Sequence, residues 1–196
     1  MTTASDKTAL RTRLRGLRRE LAAAAPEAAV RAAHHLPLSR FARFRVVAGY
    51  FAQGSEFDCE PVVQALLDEQ PGEVQAALPV ARDRHSPLTF RLWRPGEPLV
   101  RDSFDIPAPS PANPEVQPGL VLVPMLAFDR AGGRLGQGAG HYDRTLANLR
   151  AARPVYVLGL AYAGQELDEI PMEPHDQRLD AILTETDFIE VAKGSR

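Results

Sequence analysis

The chain has 196 residues, 44% of them hydrophobic and 24% charged, with a formal net charge of -2. That balance is ordinary for a soluble globular protein, has mass for one buried core over residues 1–196, and excludes steering of the whole molecule onto nucleic acid. The single cysteine, Cys59, excludes an internal disulfide and any multi-cysteine metal site, and no run reaches the roughly 18 apolar residues of a membrane span.

In chain order, Ser5 or Asp6 can cap a helix starting near Lys7. Leu10, Leu14, Leu17 and Leu21 recur at helical spacing and mark one apolar stripe. Lys7, Arg11, Arg15 and Arg18 recur in the same way on a neighbouring face. That second face reads either as a solvated charge row or as a place where Lys7 and Arg11, one turn apart, reach phosphate oxygens. The same basic stretch lacks an apolar signal core, so the expectation is a cytoplasmic protein. A second helix is expected over 27–41. An apolar strand follows at 46–51, then a helix at 60–69 with Pro61 in its first turn, where a missing N–H is harmless. Further strands are expected at 74–80, closed by Pro79, and at 88–93, with a short piece of structure in 99–104. Five prolines in 107–118 predict a surface loop. A buried strand at 120–126 leads through a glycine-rich loop to a helix at 142–150. Strands at 155–163, 181–185 and 188–191 complete the chain. Alternating strands and helices, with strands apolar almost throughout, predict an α/β fold: a three-layer αβα sandwich with a mostly parallel sheet and helices on both faces. In such folds ligands gather at the carboxyl ends of the strands.

The loop after the 120–126 strand carries Gly132, Gly133, Gly136, Gly138 and Gly140, interspersed with Asp129, Arg130, Arg134 and Asp143. Glycines allow close backbone approach to a ligand, and the N–H groups heading the next helix favour an anion. Two familiar nucleotide patterns are absent. Gly133 and Gly138 have Walker A spacing, but Ala139 stands in place of the lysine, and His141 occupies the last glycine of a dinucleotide fingerprint. Spacing alone therefore leaves a phosphate loop and a merely tight turn both open.

The run PMLAFDRAGGRLGQGAGHYDRTL resembles the signature of the 5-formyltetrahydrofolate cyclo-ligases, also called 5,10-methenyltetrahydrofolate synthetases. KTALR near the start, GSEFDCEPVV, ALPV, LTFRLWRPGEPL, FDIPAP and PHDQRLDAILTE resemble the family's other motifs, in the family's order. The resemblance implies ATP- and Mg2+-dependent closure of 5-formyltetrahydrofolate to 5,10-methenyltetrahydrofolate, with ADP and phosphate released. Lys7 and Arg11 would contact ATP phosphates. Arg134, Gly136, Gly138, Gly140 and Tyr142, with Leu135, Gln137, Ala139 and His141 between them, would form the ATP cradle, and Lys7, Arg11, Arg134 and Tyr142 would carry the chemistry. Asp143 and Asp180 match positions associated with magnesium, for which carboxylates are suitable hard ligands. Glu56 matches the acid that holds the pterin, which Phe104 and Tyr142, and Phe51 or Trp93, would enclose. His175, in the closing motif, is expected near the site.

Three residues depart from the family pattern: His141 replaces a second aromatic found in many members, and Gln137 and Ala139 replace residues that are basic in some. Arg130, Arg134 and Arg144 are the expected compensation. The expected partner is a small-molecule substrate, with neither nucleic acid nor membrane, acting on a monomer. The other readings are a folate or nucleotide binder of the same fold without turnover, and a nucleic-acid module using the Arg-rich first helix, which the non-basic remainder of the chain disfavours.

Overall fold

The structure, a computed structural model, describes residues 4–192. It opens with helix α1 (Ala4–Ala24), helix α2 (Ala28–His35) and a 3-10 turn (Leu38–Arg40). Helix α1 is already running at Ala4, so Ser5 and Asp6 lie within it and do not cap a helix at Lys7. Helix α2 stops six residues short of the expected 41, and Pro37 is the reason. A residue before proline is pushed out of the helical region, and Leu36 is extended at φ −71°, ψ 121°.

Strand β1 (Val46–Ala48) and helix α3 (Glu60–Glu69) follow, then β2 (Gln75–Val80) and β3 (Thr89–Leu92). Three two-residue strands come next: β4 (Val100–Arg101), β5 (Pro107–Ala108) and β6 (Glu115–Val116). Strand β7 (Leu120–Pro124), the hairpin β8 (Ala127–Phe128) and β9 (Arg134–Leu135), and helix α4 (His141–Ala152) make up the glycine-rich region. The chain closes with β10 (Tyr156–Leu160), β11 (Ala181–Leu183) and β12 (Phe188–Glu190).

Eight strands form one sheet in the order β12-β11-β10-β7-β1-β2-β3-β6. The five central strands, β11 to β2, are parallel, and the three marginal pairings are antiparallel. The stretch 107–118 is therefore not wholly loop, since β5 pairs with β4 and β6 closes the β3 edge. Pro79 does not close β2 either. Beyond Ala77 the β1 side is no longer paired, so a proline can sit opposite Phe90 while the β3 ladder continues.

Alternation along the central strands sends side chains to two cores. Leu120, Leu122, Leu158 and Leu160 pack with Ala28, Ala32, Val62 and Leu66 of α2 and α3. Val121, Val123 and Val157 pack with Leu146 and Leu149 of α4 on the other face. Both faces are covered, which is why these strands are apolar throughout. From β1 the chain proceeds to β2 on one side, whereas β7, β10 and β11 lie on the other. The order thus reverses between β1 and β7, and a crevice opens outside their carboxyl ends.

Helix α1 belongs to neither layer. Leu10, Leu14 and Leu17 of its stripe, with Leu14 1% exposed, pack on Leu126, Ala127 and Leu135 of the hairpin region and on Ile170, while Leu21 packs against the core under α2 and α3. That hairpin is built around the buried Asp129. Its Oδ1 accepts from the Ala131 and Gly133 N–H groups at 2.9 and 2.8 Å, and its Oδ2 accepts from Ile170 N–H at 2.8 Å. A Cβ at Gly133 would stand 2.5 Å from Asp129 Oδ2, so only glycine lets the carboxylate into the turn. Asp129→Ala strands three N–H donors in a buried turn. The expected loss is about 3 kcal/mol or more of unfolding free energy, read from urea denaturation, and a loss below about 1 kcal/mol would refute the assignment.

Candidate functional site

The crevice at the β1–β7 switch point is a cavity of about 940 Å³, at the upper end of the roughly 300–1,000 Å³ usual for small-molecule sites. The loop after β1 supplies Tyr50, Phe51, Gln53 and Glu56 to it, and the end of β7 supplies Val123, Pro124 and Met125. Arg134 to Arg144, a continuous run, forms a second wall, with Lys7, Arg11 and the 171–176 segment beyond it and Phe104 on a third side.

Helix α1 crosses the carboxyl ends of the strands. Its basic face, ambiguous as a pattern, is spent on the site residue by residue. Lys7 Nζ donates to Glu173 Oε1 at 2.6 Å and lies 3.9 Å from Asp176 Oδ2. The Lys7 contact holds the Glu173 carboxyl below its usual pKa. Arg11 Nε donates to the Gly136 carbonyl at 3.1 Å. Gly138, at φ 104°, lies against the Arg11 guanidinium, and a Cβ there would stand 3.3 Å from Arg11 Cζ. Arg15 Nε donates to Gln137 Oε1 at 2.9 Å. Gln137, which stands where some family members carry a basic residue, is thus held from α1 by an arginine that does not itself line the cavity. Arg130, one of the expected compensators, pairs instead with Glu166 and is absent from the cavity lining. Arg134 and Arg144 do line it.

Arg134 is 6% exposed, its Nη2 donates to Asp143 Oδ1 at 2.7 Å, and among the described residues its Nε has no hydrogen-bond partner. Burial lowers the Arg134 pKa and Asp143 opposes the shift. A buried cation with a free donor beside a cavity is suited to an anionic ligand. Asp143 is not an N-cap. Gly140 holds that position at φ 69°, and Asp143 sits in the first turn of α4, where the helix dipole favours a carboxylate. Its Oδ1 also accepts from Gln177 N–H at 2.9 Å, and among the described residues its Oδ2 accepts nothing.

From the loop after β1, Glu56 comes near Tyr50 and Tyr142, both with pKa raised chiefly by burial. Phe104 meets the His141 ring edge-on at 5.6 Å, so the histidine that replaces an aromatic still contributes a flat face. His175 lines the cavity as expected. Trp93 does not. It borders a separate hollow of about 360 Å³ behind Tyr50, with its Nε1 donating to Glu97 O at 3.2 Å.

Asp180 is also kept away by the fold. It precedes β11, at the amino end of that strand, whereas the cavity lies at the carboxyl ends. Its Oδ2 is taken by Arg150 Nη2 at 3.0 Å and by Val157 N–H at 2.8 Å. The residue missed from the sequence is Arg18. Read as a continuation of a charge row, it is 5% exposed and reaches Glu56. The signal available was its place one turn beyond Arg15 on the face that carries Lys7 and Arg11.

A family model described as the 5-formyltetrahydrofolate cyclo-ligase family matches residues 3–185. A 5-formyltetrahydrofolate cyclo-ligase of Mycolicibacterium smegmatis is 38% identical over 148 residues, covering 71% of this chain and 73% of its own. The Haemophilus influenzae 5-formyltetrahydrofolate cyclo-ligase is 31% identical over 182 residues, covering 89% and 95%. The solved 5,10-methenyltetrahydrofolate synthetase of Aquifex aeolicus superimposes with a TM-score of 0.73 at 24% identity, over 97% of this chain and 95% of that one, a likeness of fold.

The grip of α1 on the glycine loop is directly testable. In Arg11→Ala/Arg15→Ala, amide hydrogen exchange across 136–139 is expected to accelerate about tenfold while the β7 amides stay protected. Unchanged exchange in the loop would show that it is held by other contacts.

Proposed function

The chain belongs to the 5-formyltetrahydrofolate cyclo-ligase family, and from that premise we propose that it closes 5-formyltetrahydrofolate to 5,10-methenyltetrahydrofolate at the β1–β7 cavity with ATP as co-substrate. One observation carries the assignment of ends. Cations reach the cavity from α1 and the glycine loop, and a carboxylate reaches it from the loop after β1 with Tyr50 and Phe51 beside it. The ATP phosphates belong with Lys7, Arg11 and Arg134. The pterin belongs with Glu56, whose carboxylate can accept two parallel N–H groups from the amino-pyrimidine edge, between Tyr142 and Phe104.

A formamide oxygen is a poor leaving group. In the proposed reaction it takes the γ-phosphoryl group, releasing ADP and leaving an iminium phosphate at N5. N10 then attacks the formyl carbon and gives up its proton, and the C–O bond breaks to release phosphate. Such transfer asks for positioning and charge neutralisation more than for a protein nucleophile. Lys7 and Arg11 hold the outer phosphates, and the unpartnered Arg134 Nε faces the charge that develops as the phosphoryl group moves. Lys7 must exchange Glu173 for phosphate, and a carboxylate replaced by a more highly charged anion makes that exchange favourable.

Asp143 suits magnesium: its Oδ2 is uncommitted, and this ion takes one or two carboxylates together with phosphate oxygens and water. Asp180 does not suit it, because it stands at the amino end of β11, away from the cavity that Asp143 lines, with Oδ2 held by Arg150 and Val157. When bound, the ion would neutralise phosphate charge beside Asp143.

The test follows absorbance of the methenyl product with 5-formyltetrahydrofolate, ATP and magnesium supplied together and each omitted in turn. Product is expected only with all three. Product without ATP would overturn the activation scheme, and substrate binding without product would make the chain a binder of the same fold. In Lys7→Ala the KM for ATP is expected to rise about tenfold or more, with folate KM held within about twofold. An equal rise in both would remove Lys7 from the phosphate end.

A further inference from the structure

Arg18 is buried in the middle of α1, and the chemistry above leaves it unused. A guanidinium taken out of water requires partners, because an uncompensated buried charge costs several kcal/mol. Its Nη1 donates to Glu56 Oε1 at 3.5 Å and to the Met125 carbonyl at 3.4 Å, and its Nε donates to Ser55 Oγ at 3.3 Å. The side chains of Arg18 and Glu56 are 6% and 9% exposed. The other Glu56 oxygen, Oε2, accepts from Gln53 N–H at 3.0 Å. Glu56 lines the cavity, whereas Arg18 does not.

From this geometry we infer that Arg18 is a positioning residue: it fixes the plane and depth of the Glu56 carboxylate, so that both oxygens present to the pterin edge. The inference rests on the reading of Glu56 as the pterin acid. The carboxylate is pinned from two directions, by the loop backbone at Oε2 and by Arg18 at Oε1. The Arg18 contact is long, at the limit of a hydrogen bond, so Oε1 keeps capacity for a second donor. Arg18 is in turn fixed by the Met125 carbonyl at the end of β7, which also accepts from the buried Gln165 Nε2 at 2.9 Å. Substrate selection thus depends on a residue that never touches substrate. It also sits on the helix that carries Lys7 and Arg11, about 16 Å back along the axis from Lys7 at the ordinary rise per residue.

The experiment is a double-mutant cycle on the full chain with Arg18→Met, Glu56→Gln and the pair, reading KM for 5-formyltetrahydrofolate, KM for ATP and the thermal midpoint. Each single substitution is expected to raise folate KM about tenfold or more with ATP KM held within about twofold. The double variant is expected to be no worse than Glu56→Gln alone, since Arg18 acts only through Glu56. Arg18→Lys, which keeps the charge and loses the fork, is expected to restore part of the folate KM. If Arg18→Met does not fold, Arg18→Gln takes its place in the same cycle. Effects that multiply in the double variant, or that raise both KM values together with a lowered midpoint, overturn the positioning role. A folate KM unmoved by Arg18 but raised by Glu56→Gln also overturns it and leaves Glu56 in place. A folate KM unmoved by Glu56→Gln removes the reading of Glu56 itself.

Discussion

The structure depends on one helix laid across the ends of a parallel sheet. Helix α1 is anchored by its leucine stripe to the β8–β9 hairpin and to Ile170. Its basic face then meets three separate segments: the 173–176 turn through Lys7, the glycine loop through Arg11 and Arg15, and the loop after β1 through Arg18. None of these segments is a strand or helix, so each would otherwise pay its own ordering entropy. One rigid element that touches all three fixes their relative positions at once. The hydrophobic face provides the adhesion and the charged face the alignment, and the two duties fall on residues one position apart.

That arrangement also orders the electrostatics of the cavity. Arginine and lysine come to the cavity from α1 and the glycine loop, and a carboxylate comes to it from the loop after β1, so the two signs of charge enter from different segments. The loop itself carries little charge, with Gln137 and Ala139 at its centre. A loop lacking its own cations is a good acceptor for them from outside, because its carbonyls and side-chain amide are free to bind Arg11 and Arg15. Arg11 is then held by one loop carbonyl and Arg15 by the side chain and carbonyl of Gln137, and both are oriented before any ligand arrives. Such preorganisation lowers the reorganisation a phosphoryl transfer would otherwise require.

Local rules accounted for much of the fold. Helix α3 falls at 60–69 because Pro61 suits a first turn and the Gln70-Pro71-Gly72 break ends it. The strands around 120 and 156 are apolar throughout because both of their faces are covered, and that pattern requires no knowledge of neighbours. Where the fold departs from local pattern, the two prolines are responsible. The second helix ends at His35 and not at 41 because the steric effect of Pro37 on Leu36, a matter of two residues, overrides the helical preference of a long alanine-rich run. Pro79 is tolerated inside β2 because β1 has ended alongside it, which no local pattern reveals.

For the site, the sequence by itself determined which residue types were available: a basic helix face, a glycine loop, an acid after the first strand, and motifs whose order resembles one family. Residue chemistry and spacing are local, and they survive without coordinates. Only the tertiary structure decided which of those groups share a cavity. Asp143 and Asp180 look equivalent as carboxylates in sequence. One begins a helix at the carboxyl ends of the strands, and the other precedes a strand at its amino end, bonded to Arg150. Arg15 and Arg18 look equivalent to exposed charges beside them, and α1 turns one into the glycine loop and buries the other against Glu56. The direction of a strand and the rotation of a helix are set by packing over the whole chain, so they determine the address of a side chain whose identity was legible from the start.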